Sequence, residues 1–198
     1  MRKLFIATKN TGKLKEIKHS LKGLDIEFLS LSDTPGITEP LEDGTTFEEN
    51  AVKKAKHVYE QIKIITLADD SGLEVEYLNG KPGIYSARYA GENATDEQNR
   101  IKLLNEMKDA ADSQRKAKFT CVLAIYNGII HNKTFTGICE GKIISEMRGD
   151  KGFGYDPLFI PEGYYSTFAE LDLDVKNKIS HRGKALAELR KYFIKAIN

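Results

Sequence analysis

Two adjacent carboxylates, Asp69 and Asp70, stand in "IITLADDSGLEV" (Ile64 to Val75), where an apolar, β-branched run gives way to polar residues. Acids at the C-terminal end of a buried strand lie where α/β proteins place ligands. Side chains alternate along a strand, so the two acids should point to opposite sides, one toward a ligand and the other toward backbone or a neighbouring side chain. Hard oxygen ligands of this kind suit Mg2+, which typically uses one or two carboxylates together with substrate phosphates. The residues Asp69 to Gly72 read equally well as a turn that caps and reverses the chain.

Four further stretches bear on chemistry. In "ATKNTGK" (Ala7 to Lys13) a strand passes through a turn into a helix N-terminus carrying Lys13. Free backbone N–H groups, the helix dipole and a lysine there suit a phosphate. It is not a Walker A loop, because Ala7 and Leu14 stand where that pattern needs glycine and Ser or Thr. An ordinary strand-to-helix turn with a solvated Lys13 fits the same residues. Ahead of the next helix, Thr45 pairs with Glu48 and Thr46 with Glu49 at capping-box spacing, which accounts for both glutamates. Glu42 lies outside that helix and capping does not explain it. Asn50 and Lys54, one turn apart, can face the same side, while Lys53 and Lys56 read as solvated.

"GFGYDP" (Gly152 to Pro157) sets Phe153 and Tyr155 among glycines that permit close approach, offering rings on which a flat base can stack. "KNKISHRGKA" (Lys176 to Ala185) places Ser180, His181 and Arg182 just before the last helix. Histidine and arginine as donors can read an acceptor such as a purine 6-oxo group and reject a 6-amino group. Ser180 as a helix cap, with His181 and Arg182 on the surface, is the plainer alternative. Taken together, a phosphate turn, an acid cluster, a stacking loop and a donor pair make a nucleotide site.

The elements that must position these residues follow from periodicity. "KLFIAT" reads as a buried strand, followed by a helix with Leu14, Ile17 and Leu21 on one face, and "LDIEFLSL" as the next strand. Asp33 to Gly44 is a loop. A helix from Thr45 to Ile62 buries Phe47, Ala51, Ala55, Val58 and Ile62. "IITLA" and "GLEVEYL" read as two strands on either side of the acids. A turn-rich loop from Asn79 to Thr95 precedes a helix from about Asp96 to Met107. "AKFTCVLAIYNG" and "KTFTGICEGKII" form an antiparallel pair around Asn127-Gly128, and a terminal helix starts near Gly183.

The 198 residues carry 30 Lys and Arg against 29 Asp and Glu, so no overall field steers the chain to nucleic acid or to a membrane surface. No apolar stretch approaches the roughly 18 residues of a membrane span. The four apolar residues Leu4 to Ala7 are too few for a signal-peptide core. Cys121 and Cys139 lie in strand-like runs without CxxC spacing and read as buried free thiols in a reducing cytoplasm.

"ATKNTGKLKEI", "TFEENAVKKA", "ADDSGLEV", "GKPGIYSARYAG", "GFGYDPLF" and "KNKISHRGKAL" together resemble the inosine triphosphatase family, also called the dITP/XTP pyrophosphatases, in the family's motif order from Thr8 to Leu186. "ADDSG" and "GFGYDP" are closer to its prokaryotic branch. The resemblance implies a mixed α/β fold, a long central sheet with flanking helices in two lobes around an active-site cleft, making one domain over residues 1–198. It implies a Mg2+-dependent cytoplasmic homodimer that converts ITP, dITP and XTP to the monophosphate and pyrophosphate. By motif position, Thr8, Lys9, Asn10, Thr11, Gly12 and Lys13 bind phosphates and sugar, and Asp70 is general base and metal ligand with Glu42 as the further metal acid. Lys13 and Lys54 act on the phosphates, and Ser71 contacts substrate. Phe153, Gly154, Tyr155 and Asp156 hold the base, completed by Lys176, His181 and Arg182. The competing expectations are a Maf-like pyrophosphatase acting on modified or pyrimidine nucleotides, and a nucleotide sensor without turnover.

Overall fold

The computed structural model describes residues 2–38, 40, 42–128 and 133–197, the side chains of 196 and 197 excepted. Strand β1 (Arg2–Ile6) is followed by helix α1 (Thr11–Ser20), strand β2 (Ile26–Ser30), helix α2 (Phe47–Ile62) and strand β3 (Thr66–Val75). β1 pairs in parallel with β2, Arg2 opposite Ile26 and Ile6 opposite Ser30, and in parallel with β3, Phe5 opposite Thr66. Parallel neighbours need crossovers, and α1 and α2 supply them. Then come α3 (Asp96–Glu106), β4 (Lys116–Tyr126), β5 (Lys133–Ile143), β6 (Phe159–Pro161), α4 (Leu173–Ile179) and α5 (His181–Ile197). The sheet runs β2-β1-β3-β4-β5-β6, and because β6 pairs antiparallel to β5 it is mixed.

The chain divides into two compact units. The first holds residues up to Asp70, Cys121–Gly137 and the chain from Arg182 on; the second holds Ser71–Thr120 and Ile138–His181. In the first unit the strands alternate between two cores. Leu4, Ile6, Leu67, Cys121, Leu123 and Ile125 pack with Ile17 and Leu21 of α1 and with Ala185, Leu186 and Leu189 of α5. Phe5, Ala7, Ala68, Val122 and Ala124 pack instead with Ala51, Ala55 and Val58 of α2. The period of two therefore sends successive strand residues to helices on opposite faces. The second unit has its own core, in which Leu73, Val75, Leu103, Met107, Phe119, Phe159 and Phe168 meet.

Three expectations change. The two strands anticipated on either side of the acids are one uninterrupted strand, β3, so Asp69 to Gly72 are not a turn. Asp is disfavoured in strands, and buried lysine and arginine partners override that preference here. Helix α4 lies in a stretch where no helix was expected; at seven residues it is too short to show an apolar stripe. The last helix starts at His181, not near Gly183. The loop expected over 33–44 holds no helix or strand among the described residues. Within the described residues no helix is long and apolar enough to cross a membrane.

Candidate functional site

Alternation along β3 gives Asp69 and Asp70 different surroundings. Asp69 points to the α1 and α5 side and is 1 % exposed. Its Oδ2 accepts from Nε of Arg182 at 2.8 Å and from the Cys121 thiol at 3.3 Å, and its Oδ1 lies 2.6 Å from Nζ of Lys13. Arg182, itself buried, also donates from NH1 to Oε2 of Glu16 at 2.7 Å. Burial opposes the charged form of Asp69, but the Arg182 guanidinium and Lys13 outweigh it and hold the carboxyl well below its ordinary value. The same burial would lower Arg182, yet Asp69 and Glu16 raise it further. Burial and the Asp69 charge push the Cys121 thiol up, leaving it an inert donor. Asp69 thus accepts three donors and anchors the first unit's polar interior.

Asp70 points to the α2 side. Lys54 of α2 sets its Nζ 2.5 Å from Oε1 of Glu42, 3.9 Å from Oδ1 of Asp70 and 3.3 Å from the Asp69 carbonyl. Oδ2 of Asp70 is buried and has no hydrogen-bond partner among the described residues. Burial pushes Asp70 up to about 6; Lys54 and Lys13 pull against this, while Glu42 and Asp69 add to it. Burial would lower Lys54, but Glu42 and Asp70 prevail and raise it. The structure therefore brings together Lys13, Glu42, Lys54 and Asp70, with the two acids in opposite conditions: Asp69 satisfied, Asp70 poised near neutrality with one oxygen unspent.

Local chemistry fixes the supporting turns. Asn10 caps α1, its Oδ1 accepting from the Lys13 N–H at 2.9 Å, and Oγ1 of Thr8 accepts from the Asn10 N–H at 3.2 Å. Lys9, Asn10 and Thr11 are exposed around this helix start, and Gly12 is half-buried. Thr46 caps α2 as the spacing suggests, accepting from the Glu49 N–H. Glu49, however, reaches back to the N–H and hydroxyl of Thr45, and Glu48 accepts from Thr134 rather than pairing with Thr45. Asn50, 1 % exposed, accepts from the Gly44 N–H at 2.8 Å and so ties down the segment that carries Glu42.

The second unit holds the glycine-rich loop. Oδ2 of the buried Asp156 accepts from the Phe153 N–H at 2.9 Å and from Nζ of Lys176 at 2.6 Å. That ammonium lies 4.8 Å from the centre of the Phe153 ring and 5.6 Å from that of Phe168. Of the two rings expected to offer a stacking face, Phe153 is half-buried, whereas Tyr155 belongs to the unit's core and donates its hydroxyl to the Ser86 carbonyl at 2.9 Å. Ser71 is half-buried. His181 is 4 % exposed, stacked on Phe119 with ring centres 4.6 Å apart, and Arg182 is 1 % exposed. Neither is a surface residue, and their neighbours differ: His181 sits against the second unit's aromatic cluster while Arg182 is engaged by Asp69 and Glu16. Glu16 carries a contact to this network that no sequence motif announced; it is buried, yet its position in α1 lies off the stripe of Leu14, Ile17 and Leu21 and gave no sign.

Fold and site define a mixed α/β protein with a cluster of paired lysines and acids in one unit and a glycine-rich aromatic loop in the other. The chain belongs to the Ham1 family, whose profile matches residues 4–192. It is 51 % identical over 193 residues to the dITP/XTP pyrophosphatase of Oceanobacillus iheyensis, covering 97 % of this chain and 98 % of that one. Among solved structures, a HAM1 protein from Coxiella burnetii superposes with a TM-score of 0.89 at 41 % identity, covering 98 % of this chain and all (100 %) of that one. A nucleoside-triphosphatase / dITP/XTP pyrophosphatase from Mycobacterium abscessus gives 0.77 at 38 % identity, covering 94 % and 98 %. The motifs from Thr8 to Leu186 fall inside the family match, which favours the inosine triphosphatase resemblance over the Maf-like expectation.

Proposed function

We propose that this protein hydrolyses ITP, dITP and XTP to the nucleoside monophosphate and pyrophosphate, clearing aberrant purines from the nucleotide pool. The observation that carries the reading is Asp70: a buried carboxyl, up near 6, with an unpartnered oxygen beside a lysine and a second acid. Asp70 accepts a proton from the attacking water, the new bond forms at the α-phosphorus, and the bond to the bridging oxygen breaks with pyrophosphate leaving. Lys54 and Lys13 hold the phosphate oxygens, and the turn from Thr8 to Gly12 supplies N–H groups at the start of α1. Asp70 and Glu42 would hold Mg2+, which when bound neutralises charge on the phosphate oxygens. Among the described residues no three His, Cys, Asp or Glu cluster as a self-sufficient metal site, which suits an ion that draws its remaining ligands from water and phosphate.

For the base, Phe153 offers the stacking face, Lys176 and His181 supply donors to its edge, and Asp156 holds Lys176 and the Phe153 N–H in place. A donor set leaves adenine's amino group opposed and unpaired, which costs orders of magnitude in rate. Arg182 serves this reading through Asp69, which it holds ionised. A cytoplasmic setting is supported by the two buried free thiols, and a homodimer by the family resemblance.

Product analysis with ITP and ATP side by side, with Mg2+ and with excess chelator, tests the reading. IMP and pyrophosphate are expected from ITP only, and only with metal. IDP and orthophosphate would overturn the mechanism, and metal-independent ITP binding without turnover would favour a sensor. Gly152→Ala bears on the base loop: its Cβ would meet Asp156 Oδ2 at 2.1 Å, at a φ of +78°. We expect KM for ITP to rise roughly tenfold with a smaller change in kcat, read from steady-state kinetics.

A further inference from the structure

The base loop is held by a helix that the nucleotide chemistry does not otherwise use. Asp96 and Arg100, one turn apart on α3, face the same way and take both backbone groups of a single residue. Oδ2 of Asp96 accepts from the Gly154 N–H at 2.7 Å, and NH1 of Arg100 donates to the Gly154 carbonyl at 2.7 Å. Nε of Arg100 also donates to Sδ of Met147 at 3.2 Å. Gly154 has a φ of +58° and no atom within 4 Å of where a Cβ would be. Glycine permits that conformation but does not enforce it, since it visits both signs of φ at little cost. With nothing packed where a side chain would lie, Gly154 is held through its two peptide groups by these side chains.

The helix that holds them is itself rigidly seated. Thr95 and Gln98 close a capping box at its start. Asn99, 2 % exposed, bonds the Ala90 N–H at 2.8 Å and the Ala87 carbonyl at 3.0 Å, and Leu103 lies in the core. The orientation of Gly154 sets the direction in which the chain presents Phe153 on one side and Asp156 on the other. Sites work when the groups that touch ligand are held by a rigid second set.

We propose that Asp96 and Arg100 are positioning residues for base recognition, locking Gly154 and with it the ring of Phe153 against which the purine lies. The inference rests on the reading that this loop holds the base. In the full-length protein, Arg100→Ala is expected to raise KM for ITP about fivefold to tenfold with kcat within about twofold, the pattern of lost uniform binding. Inhibition by IMP should weaken by the same factor while inhibition by pyrophosphate, which carries no base, stays unchanged. Arg100→Lys, still able to donate to the carbonyl, should recover most of the loss. Unchanged KM and IMP inhibition in Arg100→Ala would overturn the inference, as would equal weakening of IMP and pyrophosphate or no recovery with lysine. An unsubstituted protein that neither splits ITP nor binds IMP would remove the base-loop reading itself, a failure visible in the parent rather than in the variant.

Discussion

Asp70→Asn is expected to lower kcat for ITP by about a thousandfold or more while raising the melting temperature of the metal-free protein. The loss follows from removing the group that takes the water's proton, a contribution typically of about 10²–10⁴, together with a carboxylate that holds the counter-ion. The gain in stability follows from burial. The folded carboxyl titrates at about 6 against 3.8 for the free side chain. Between those values the folded protein keeps a proton that the unfolded chain has released, so the penalty of the buried charge is absent below about pH 4 and complete above about pH 6. Asparagine carries no such penalty, and Lys54 keeps its contact with Glu42 at 2.5 Å. The expected gain at pH 7.5 is roughly 2–3 kcal/mol, or several degrees in Tm, shrinking to little at pH 4. Melting curves in chelator at both pH values check it. A gain of the same size at both would show that the carboxyl's ionisation is not its source, and unchanged turnover would remove Asp70 from the chemistry.

Arg182→Leu is expected to act in the opposite sense, on folding. The guanidinium lies 2.8 Å from Asp69 and 2.7 Å from Glu16 in the interior of the first unit. Removing it leaves two buried carboxylates facing each other's field with Lys13 as the nearby cation on Asp69. Breaking a buried network from one side costs about 3–5 kcal/mol, a large share of a marginal total. Because Asp69 is held well below 3.8 in the folded protein, its stabilising share is present at neutral pH and lost only as pH falls through that lower value. The deficit of the variant, read by urea unfolding, should therefore be largest at neutral pH and narrow as pH falls, because without the guanidinium the burial of Asp69 favours its protonated form and relieves the stranded charge. Arg182→Lys should restore little, since one ammonium cannot reproduce the forked contact. A deficit under about 1 kcal/mol would mean that the network contributes little to stability.

What was legible in the sequence was mostly short-range. The apolar face of α2, the opposed directions of Asp69 and Asp70, and the capping by Thr46 depend on periods of two and 3.6 residues or on neighbours within one turn. Contacts made across the chain left no such trace. Arg182 meets Asp69 113 positions away and Glu16 166 positions away. Its residue type gave a donor, but its spacing could not give the partner. Tyr155 shows a second limit. A ring in a glycine-rich loop reads as exposed, yet its hydroxyl reaches the Ser86 carbonyl and its body joins a core assembled from distant strands. The uninterrupted β3 shows a third, because local preference called for a turn where tertiary charge pairing retained a strand.

That strand has one more consequence. Asp69 and Asp70 are the same side chain with the same intrinsic acidity, and nothing in their chemistry separates the one held ionised from the one held near neutrality. They are distinguished by parity alone, odd positions facing α1 and α5 and even positions facing α2. A residue lost just ahead of Thr66 that drew the strand back by one place would exchange every face. Asp70 would then meet the arginine and fall silent, and its neighbour Ser71 would be turned to the lysine of α2. No substitution elsewhere could mend this, since the fault would lie in counting rather than in composition. Length in this segment is thus as strictly specified as the acids themselves.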